Sequence, residues 1–196
     1  MSPTQAMERS YTSLKQLLKD GHFPPGVRLE ANRIADDIGV SMTPVRDALN
    51  RLVGEDLVAA TSGEGFHVPL LSEGALRDLY EWNSLLLSIA IRSAVPRAFD
   101  ELADVLNGDE DRAAKAALLF EAIAGTARNR ELTRAILQTS DRLQAYRRIE
   151  EAAIGSTEEE LTAIAAKDPG RIQAIRRYHL RRMRAAPDLV RHREHR

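Results

Sequence analysis

Apolar residues recur at helical spacing along most of this chain, and the interruptions between the runs divide it into elements. Met7, Tyr11, Leu14, Leu17 and Leu18 share one stripe of a helical period, which predicts a first helix over residues 4–20. Gly21-His22-Phe23-Pro24-Pro25-Gly26 stops it, because proline cannot continue a helix. Leu29, Ile34, Ala35 and Ile38 then fall on one face of a short helix. Gly39 permits a sharp turn, Ser41 offers an N-cap oxygen, and Pro44 sits in the first turn of the next helix, where its missing N–H is no loss. Val45, Leu49 and Leu52 carry the inner face of that helix. Two short helices joined by a tight glycine turn outline a helix-turn-helix. The apolar run Leu57-Val58-Ala59, the turn formers Thr61-Ser62-Gly63-Glu64-Gly65 and the alternating Phe66-His67-Val68 predict a β-hairpin wing behind it.

From Ser72 onward the pattern is helical throughout. Ser72 caps a run in which Leu76, Leu79, Tyr80, Asn83, Leu86, Leu87, Ala90 and Ile91 share a face, and Val95-Pro96 ends it. Further helices are predicted over residues 100–106, 111–126, 130–153, 156–167 and 169–185. Ser156 with Glu159 reads as a capping box, and Pro169 stands where proline opens a helix. The predicted fold is mainly α. A winged helix-turn-helix of three helices and a β-hairpin occupies residues 1–70, and a six-helix all-α bundle occupies 71–196.

Composition narrows the function. A length of 196 residues can bury one generous core or two modest ones. With 28 basic against 29 acidic side chains there is no global attraction to nucleic acid, so any affinity for DNA has to come from local placement of charge. The absence of cysteine removes disulfides, thiolate metal sites and cysteine nucleophiles together. Met1 to Ser10 is polar and unlike a signal peptide, and the apolar run Leu85 to Ile91 is far shorter than the roughly 20 residues of a membrane span. A soluble, cytoplasmic protein is expected.

The ordered set Leu29, Ile34-Ala35, Gly39-Val40-Ser41, Pro44-Val45-Arg46, Ala48-Leu49, Leu52, Leu57-Val58, Gly63, Gly65-Phe66 and Val68 closely resembles the winged-helix domain of the GntR superfamily. The resemblance covers about the first third of the chain, in fixed register. It implies double-stranded operator DNA as the partner, with Thr43 and Arg46 of the recognition helix reaching the major groove. A second role is open to Arg46, a surface ion pair with Asp47 or Glu55. Ser41 can bind a phosphate at the helix start. Arg28 and Arg33 are phosphate contacts or solvated surface, and Gly63 permits close backbone approach at the wing, where Glu64 would be repelled by phosphate. Two positions depart from the family: Met42 and Asn32 stand where arginine is common. An arginine–guanine pair is worth about 1–3 kcal/mol of discrimination, whereas Met42 offers only apolar contact, so a different operator or a lower affinity follows.

The second half resembles, more distantly, the all-helical FCD effector-binding domain of FadR-type regulators. The likeness rests on Leu79-Tyr80-Glu81, Phe120-Glu121, Asn129-Arg130-Glu131-Leu132, Ala163-Ile164, Asp168 and His179-Leu180, with the stretch around 99–109 abbreviated. Many such domains hold a divalent metal with one Asp and three His. The resemblance places Ala117, Glu121, Thr157 and His179 at those positions, so only His179 is retained. Zinc sites need at least three protein ligands, and no metal cofactor is expected. The arginine that often anchors acidic effectors is replaced by the neighbourhood Trp82-Asn83. A pocket lined by Asn83, Glu121, Arg147 and His179 remains open for a small organic effector, and each of the four also has an ordinary structural role open to it.

Arg171, Arg176, Arg177, Arg181, Arg182, Arg184, Arg191, Arg193 and Arg196 face only Asp188 and Glu194 near the C-terminus. They read as a solvated helix face with a disordered end, or as an added attraction for DNA, with Tyr178, Leu180 and Met183 holding the helix to the bundle. The leading reading is a homodimeric GntR-type transcriptional regulator on a near-palindromic operator, tuned by an effector in its helical domain. The alternative is a regulator whose helical domain has lost metal and effector binding and serves dimerisation or a protein partner. With no Ser–His–Asp order, no cysteine and no phosphate loop, an enzyme is not expected.

Overall fold

The computed structural model describes residues 2–61, 63–94, 99, 102–156, 158–166 and 170–194. The chain forms two compact units, Met1–Leu71 and Ser72–His195.

In the first unit, helix α1 (Pro3–Lys19) opens on a capping box. The Ser2 Oγ accepts from the Gln5 backbone N–H, and the Gln5 side chain accepts from Ser2 N. Helix α2 (Ala31–Ile38) ends at Gly39, whose φ of +74° lets the Gly39 and Val40 N–H groups turn back onto Asp36 and Ala35. This αL turn sets the entry into helix α3 (Met42–Gly54). The end of α3 uses the same device with Asp56 in the left-handed region, and Leu57 N donates to Leu52 O. Leu14 and Leu18 of α1, Ile34 and Ala35 of α2, and Val45, Ala48, Leu49 and Leu52 of α3 close one core.

The wing is a three-stranded antiparallel sheet. Strands β1 (Arg28–Leu29), β2 (Ala59–Thr61) and β3 (Gly65–His67) run in the order β1-β3-β2, with Leu29 opposite Phe66 and Ala60 opposite Phe66. The hairpin expected at 57–59 and 66–68 is therefore shifted toward its tip. Leu57, Val58 and Val68 are buried supports of the core, and Arg28-Leu29, read as the approach to α2, is a strand. Two residues are too few for alternation to be visible in sequence.

The second unit is all helical among the described residues. Helix α4 (Glu73–Ser93), capped by Ser72, lies against α5 (Arg112–Gly125), α6 (Arg130–Arg147), α9 (Arg171–Arg184) and α10 (Ala186–Glu194). Leu86, Leu87, Ala90, Leu119, Phe120, Ile123, Ile136, Ile164, Ile175 and Tyr178 form its core. Three expectations are corrected. The helix read over 130–153 breaks after Arg147 and restarts as α7 (Glu150–Ile154), which brings Glu150 into the interior. The block expected over 100–106 is a 3₁₀ turn at Asp104–Leu106 within what is described. The region read as a disordered end is α10, whose Leu189 is fully buried. Helix α8 spans Glu158–Ala165 and the Ser156 carbonyl accepts from Arg181; the expected Ser156 capping turn includes Thr157, which lies outside the described residues. The expected helix signals Val95-Pro96 and Asp168-Pro169 lie outside the described residues. No helix among the described residues is long and apolar enough to cross a membrane.

Candidate nucleic-acid interface

The turn at Gly39 leaves the start of α3 facing solvent. Ser41 holds the N-cap position in extended conformation, but its side chain makes no capping hydrogen bond. The expected cap is thus corrected: the hydroxyl and the first N–H groups of α3 are left open, with no acidic side chain in the first turn to satisfy them. A helix start in that condition attracts an anion such as a phosphate.

Around this start the fold builds a concavity of about 350 Å³. Arg28 and Gly65 of the wing, Asn32 of α2, and Met42 and Arg46 of α3 all line it. Met42 and Arg46 are one helical turn apart, which puts both side chains on the same face of α3. Met42 is 46% exposed, a large apolar side chain held in solvent without an internal partner. The Arg28 guanidinium lies over Gly65, with Nε 3.7 Å from where a Cβ would be, so Gly65 (φ +89°) keeps the wing close to that arginine. Arg33, Ser41, Thr43 and Gly63 are exposed but are not in the wall of the concavity. Ser62 at the wing tip lies outside the described residues.

Arg28, Arg33 and Arg46 have neither a hydrogen bond nor an ion pair among the described residues, although all three are exposed. The surface pair open to Arg46 does not form. Glu55 is taken by Lys15 (2.7 Å), by the Tyr11 hydroxyl (2.8 Å) and, more loosely, by Arg51. Arg28 and Arg46 against Glu30 leave the concavity with the local positive charge that the balanced composition withholds. Gly65 belongs to the wing tip expected to face DNA, whereas Glu30 and Phe66 were not singled out from sequence as part of this surface. The repeated glycines 63 and 65 were the available signal, since both take positive φ.

In the second unit, Asn83, Arg147 and His179 are buried, whereas Glu121 is exposed and stands apart from them. His179 Nδ1 lies 2.7 Å from the Ile175 carbonyl and so carries the proton. Burial lowers the His179 pKa to about 3, with Arg147 and Arg182 adding to the shift against the Ile175 hydrogen bond, so the ring is neutral and Nε2 is an acceptor. The Asn83 amide, 2.9 Å from Nε2, meets that acceptor when its NH₂ faces the ring. Both nitrogens are then engaged. Among the described residues no three His, Asp or Glu side chains stand close enough together to hold a metal, and Thr157 lies outside them.

The interior also holds groups not anticipated from the sequence. Arg182 is fully buried, pairs with Glu150 (2.8 Å) and Glu160 (2.8 Å), and stacks over Tyr178 with Cζ 3.3 Å from the ring centroid. Burial opposes its charge, but Tyr178 and Glu150 outweigh that and hold it protonated. The Tyr80 hydroxyl donates to Glu150 at 3.1 Å, and burial, then Glu150, pushes its pKa well up. Arg171 and Arg193 are also buried, and Leu180, read as an anchor, is 42% exposed. The inner stripe Arg171, Ala174, Ile175, Tyr178, Arg182 keeps helical spacing, but arginines on it look like surface in a sequence.

A helix-turn-helix with a wing, an open recognition-helix start and unpaired arginines define a DNA-binding protein. The chain belongs to the gntR family of bacterial regulatory proteins, which its residues 6–68 match. Like its relatives, it is a transcriptional regulator. It is 33% identical over 141 residues to the Nta operon transcriptional regulator of Aminobacter aminovorans, covering 66% of this chain and 67% of that protein. To the HTH-type transcriptional regulator McbR of Escherichia coli it is 32% identical over 97 residues, covering 47% of this chain and 44% of McbR, less than half of that regulator's length. The solved structure of E. coli McbR/YncC matches with a TM-score of 0.70 at 24% identity, over 95% of this chain and 98% of that one, which shows a shared fold.

Proposed function

We propose that this regulator binds a near-palindromic operator as a homodimer, and that a small organic ligand received in its helical unit sets its affinity for DNA. The observation that carries the DNA half of this reading is the concavity in which Arg28, Asn32, Met42 and Arg46 converge, with neither arginine paired among the described residues. Arg46 reads base edges or grips a phosphate, Met42 presents an apolar surface such as a thymine methyl accepts, and Arg28 positions the wing on the backbone.

Two features support the finer parts. On α4, Trp82 (50% exposed), Leu85 (47%) and Ile89 (43%) form an apolar stripe at spacings of three and four residues. A stripe of that kind is suited to pairing with its own copy about a twofold axis, and a near-palindromic operator calls for such a dimer. The helical unit also carries a partly open cavity with mixed polar and apolar walls, a site from which a ligand can favour one arrangement of the dimer over another. Footprinting on the DNA flanking the protein's own gene tests the reading. A protected inverted repeat that disappears with Arg46→Ala supports it, and protection indifferent to Arg46 removes it.

A further inference from the structure

Asn32 and Met42 each stand in the first turn of their helix, α2 and α3, and both line the concavity of the first unit. Both are exposed. They are also the two positions that depart from the family pattern, so the fold gathers both departures into one wall. Arg46, one helical turn beyond Met42, lines the same wall.

The chemistry of that wall suits a base-pair edge better than a phosphate. Glu30 lines it, is exposed and has no ion pair among the described residues, so a carboxylate there opposes an incoming phosphate. Met42 is 46% exposed and has no hydrogen to donate to one. The Asn32 amide makes no hydrogen bond among the described residues, which leaves a donor and an acceptor open side by side. In the major groove adenine presents the matching pair, an N6 donor beside an N7 acceptor, and the thymine opposite it presents a methyl group. An open amide and an open apolar side chain in one wall therefore match the two halves of a single A·T pair.

We propose that the concavity reads one A·T pair in each operator half-site, with Asn32 on the adenine edge and Met42 on the thymine methyl. The inference rests on the operator-binding reading and names the base pair that this site accepts. The other pairs fail on chemistry. Guanine puts the acceptor O6 where adenine has its donor, against the Asn32 Oδ1, and cytosine has no methyl for Met42. A reversed T·A pair brings the methyl to the amide and the adenine edge to the thioether.

The test is fluorescence anisotropy of the full chain on the footprinted operator, with base analogues placed symmetrically in both half-sites. Each thymine in turn is replaced by deoxyuridine, which removes only the methyl group. Each adenine in turn is replaced by 7-deaza-2′-deoxyadenosine, which puts C–H in place of the N7 acceptor. At one A·T pair the wild type is expected to lose about tenfold or more in affinity with deoxyuridine, since burying a methyl is worth about fourfold in each half-site. It is expected to lose about fivefold or more with the adenine analogue at that same pair. Met42→Ala should bind the thymine and deoxyuridine operators equally, and Asn32→Ala should bind the adenine and 7-deaza operators equally. Both side chains are exposed, so both variants are expected to keep the wild-type melting temperature. The assignment is overturned if no pair is methyl-sensitive in the wild type, if Met42→Ala keeps the sensitivity, or if the two analogues act at different pairs. Each of those outcomes leaves operator binding standing. A wild-type chain that binds no natural operator removes the operator reading itself, and this inference with it.

Discussion

Arg46 projects from α3 into solvent with no partner among the described residues, while Arg182, from the same residue type, is fully buried between Glu150, Glu160 and the Tyr178 ring. The difference decides what each substitution does. On the proposed reading, removing Arg46 leaves the core untouched and subtracts from DNA contact. Removing Arg182 strands a buried Glu150, at about 3–5 kcal/mol. The exposed position of Arg46 could be expected from its fixed register after Gly39 and Ser41; the burial of Arg182 could not, because an arginine beside Arg181 and Arg184 looks solvated until a buried acid is placed opposite it. His179 offers a pH test at the same scale. Its pKa in the folded chain is lowered to about 3, below the unfolded value, so its contribution is complete above pH 6.5 and is lost as pH falls toward 3. Between pH 6.5 and 5 this linkage removes about 2 kcal/mol, and chemical denaturation across that range should show a shallower loss in His179→Gln.

At the scale of elements, the helix-turn-helix was legible because each of its parts has a local cause: a left-handed glycine, a proline in a first turn, and apolar residues at helical spacing. Gly39→Ala tests the first of these. Nothing lies within 4 Å of a Cβ built there, so the effect is backbone strain alone. A loss of about 1–2 kcal/mol is expected in urea denaturation. The break between α6 and α7 was not legible, since the periodicity runs through it and its cause is distant: Glu150 turns in to meet Tyr80 and Arg182. Strand β1 was missed for a similar reason, as its partner β3 lies far along the chain. The α4 stripe carries its own test. Replacing Trp82 and Ile89 by glutamate should convert a dimer to a monomer in sedimentation at unchanged helicity; a dimer that persists would place the interface elsewhere.

For the whole molecule, a net charge of −1 means that DNA affinity depends on where the arginines stand rather than on how many there are. The family and the mainly helical two-unit fold could be read from residue order, whereas the buried polar cluster needed the three-dimensional arrangement. On the proposed reading salt should act strongly on binding, because phosphate contacts by Arg28, Arg33 and the α3 start would release counterions. The most direct measurement is fluorescence anisotropy of the wild-type chain and Arg46→Ala on the footprinted operator at one salt concentration, with melting temperatures recorded alongside. The expected result is a loss of about 1–3 kcal/mol per half-site for Arg46→Ala, with melting unchanged. Equal affinity of the two proteins for the operator would contradict the placement of the α3 start against DNA.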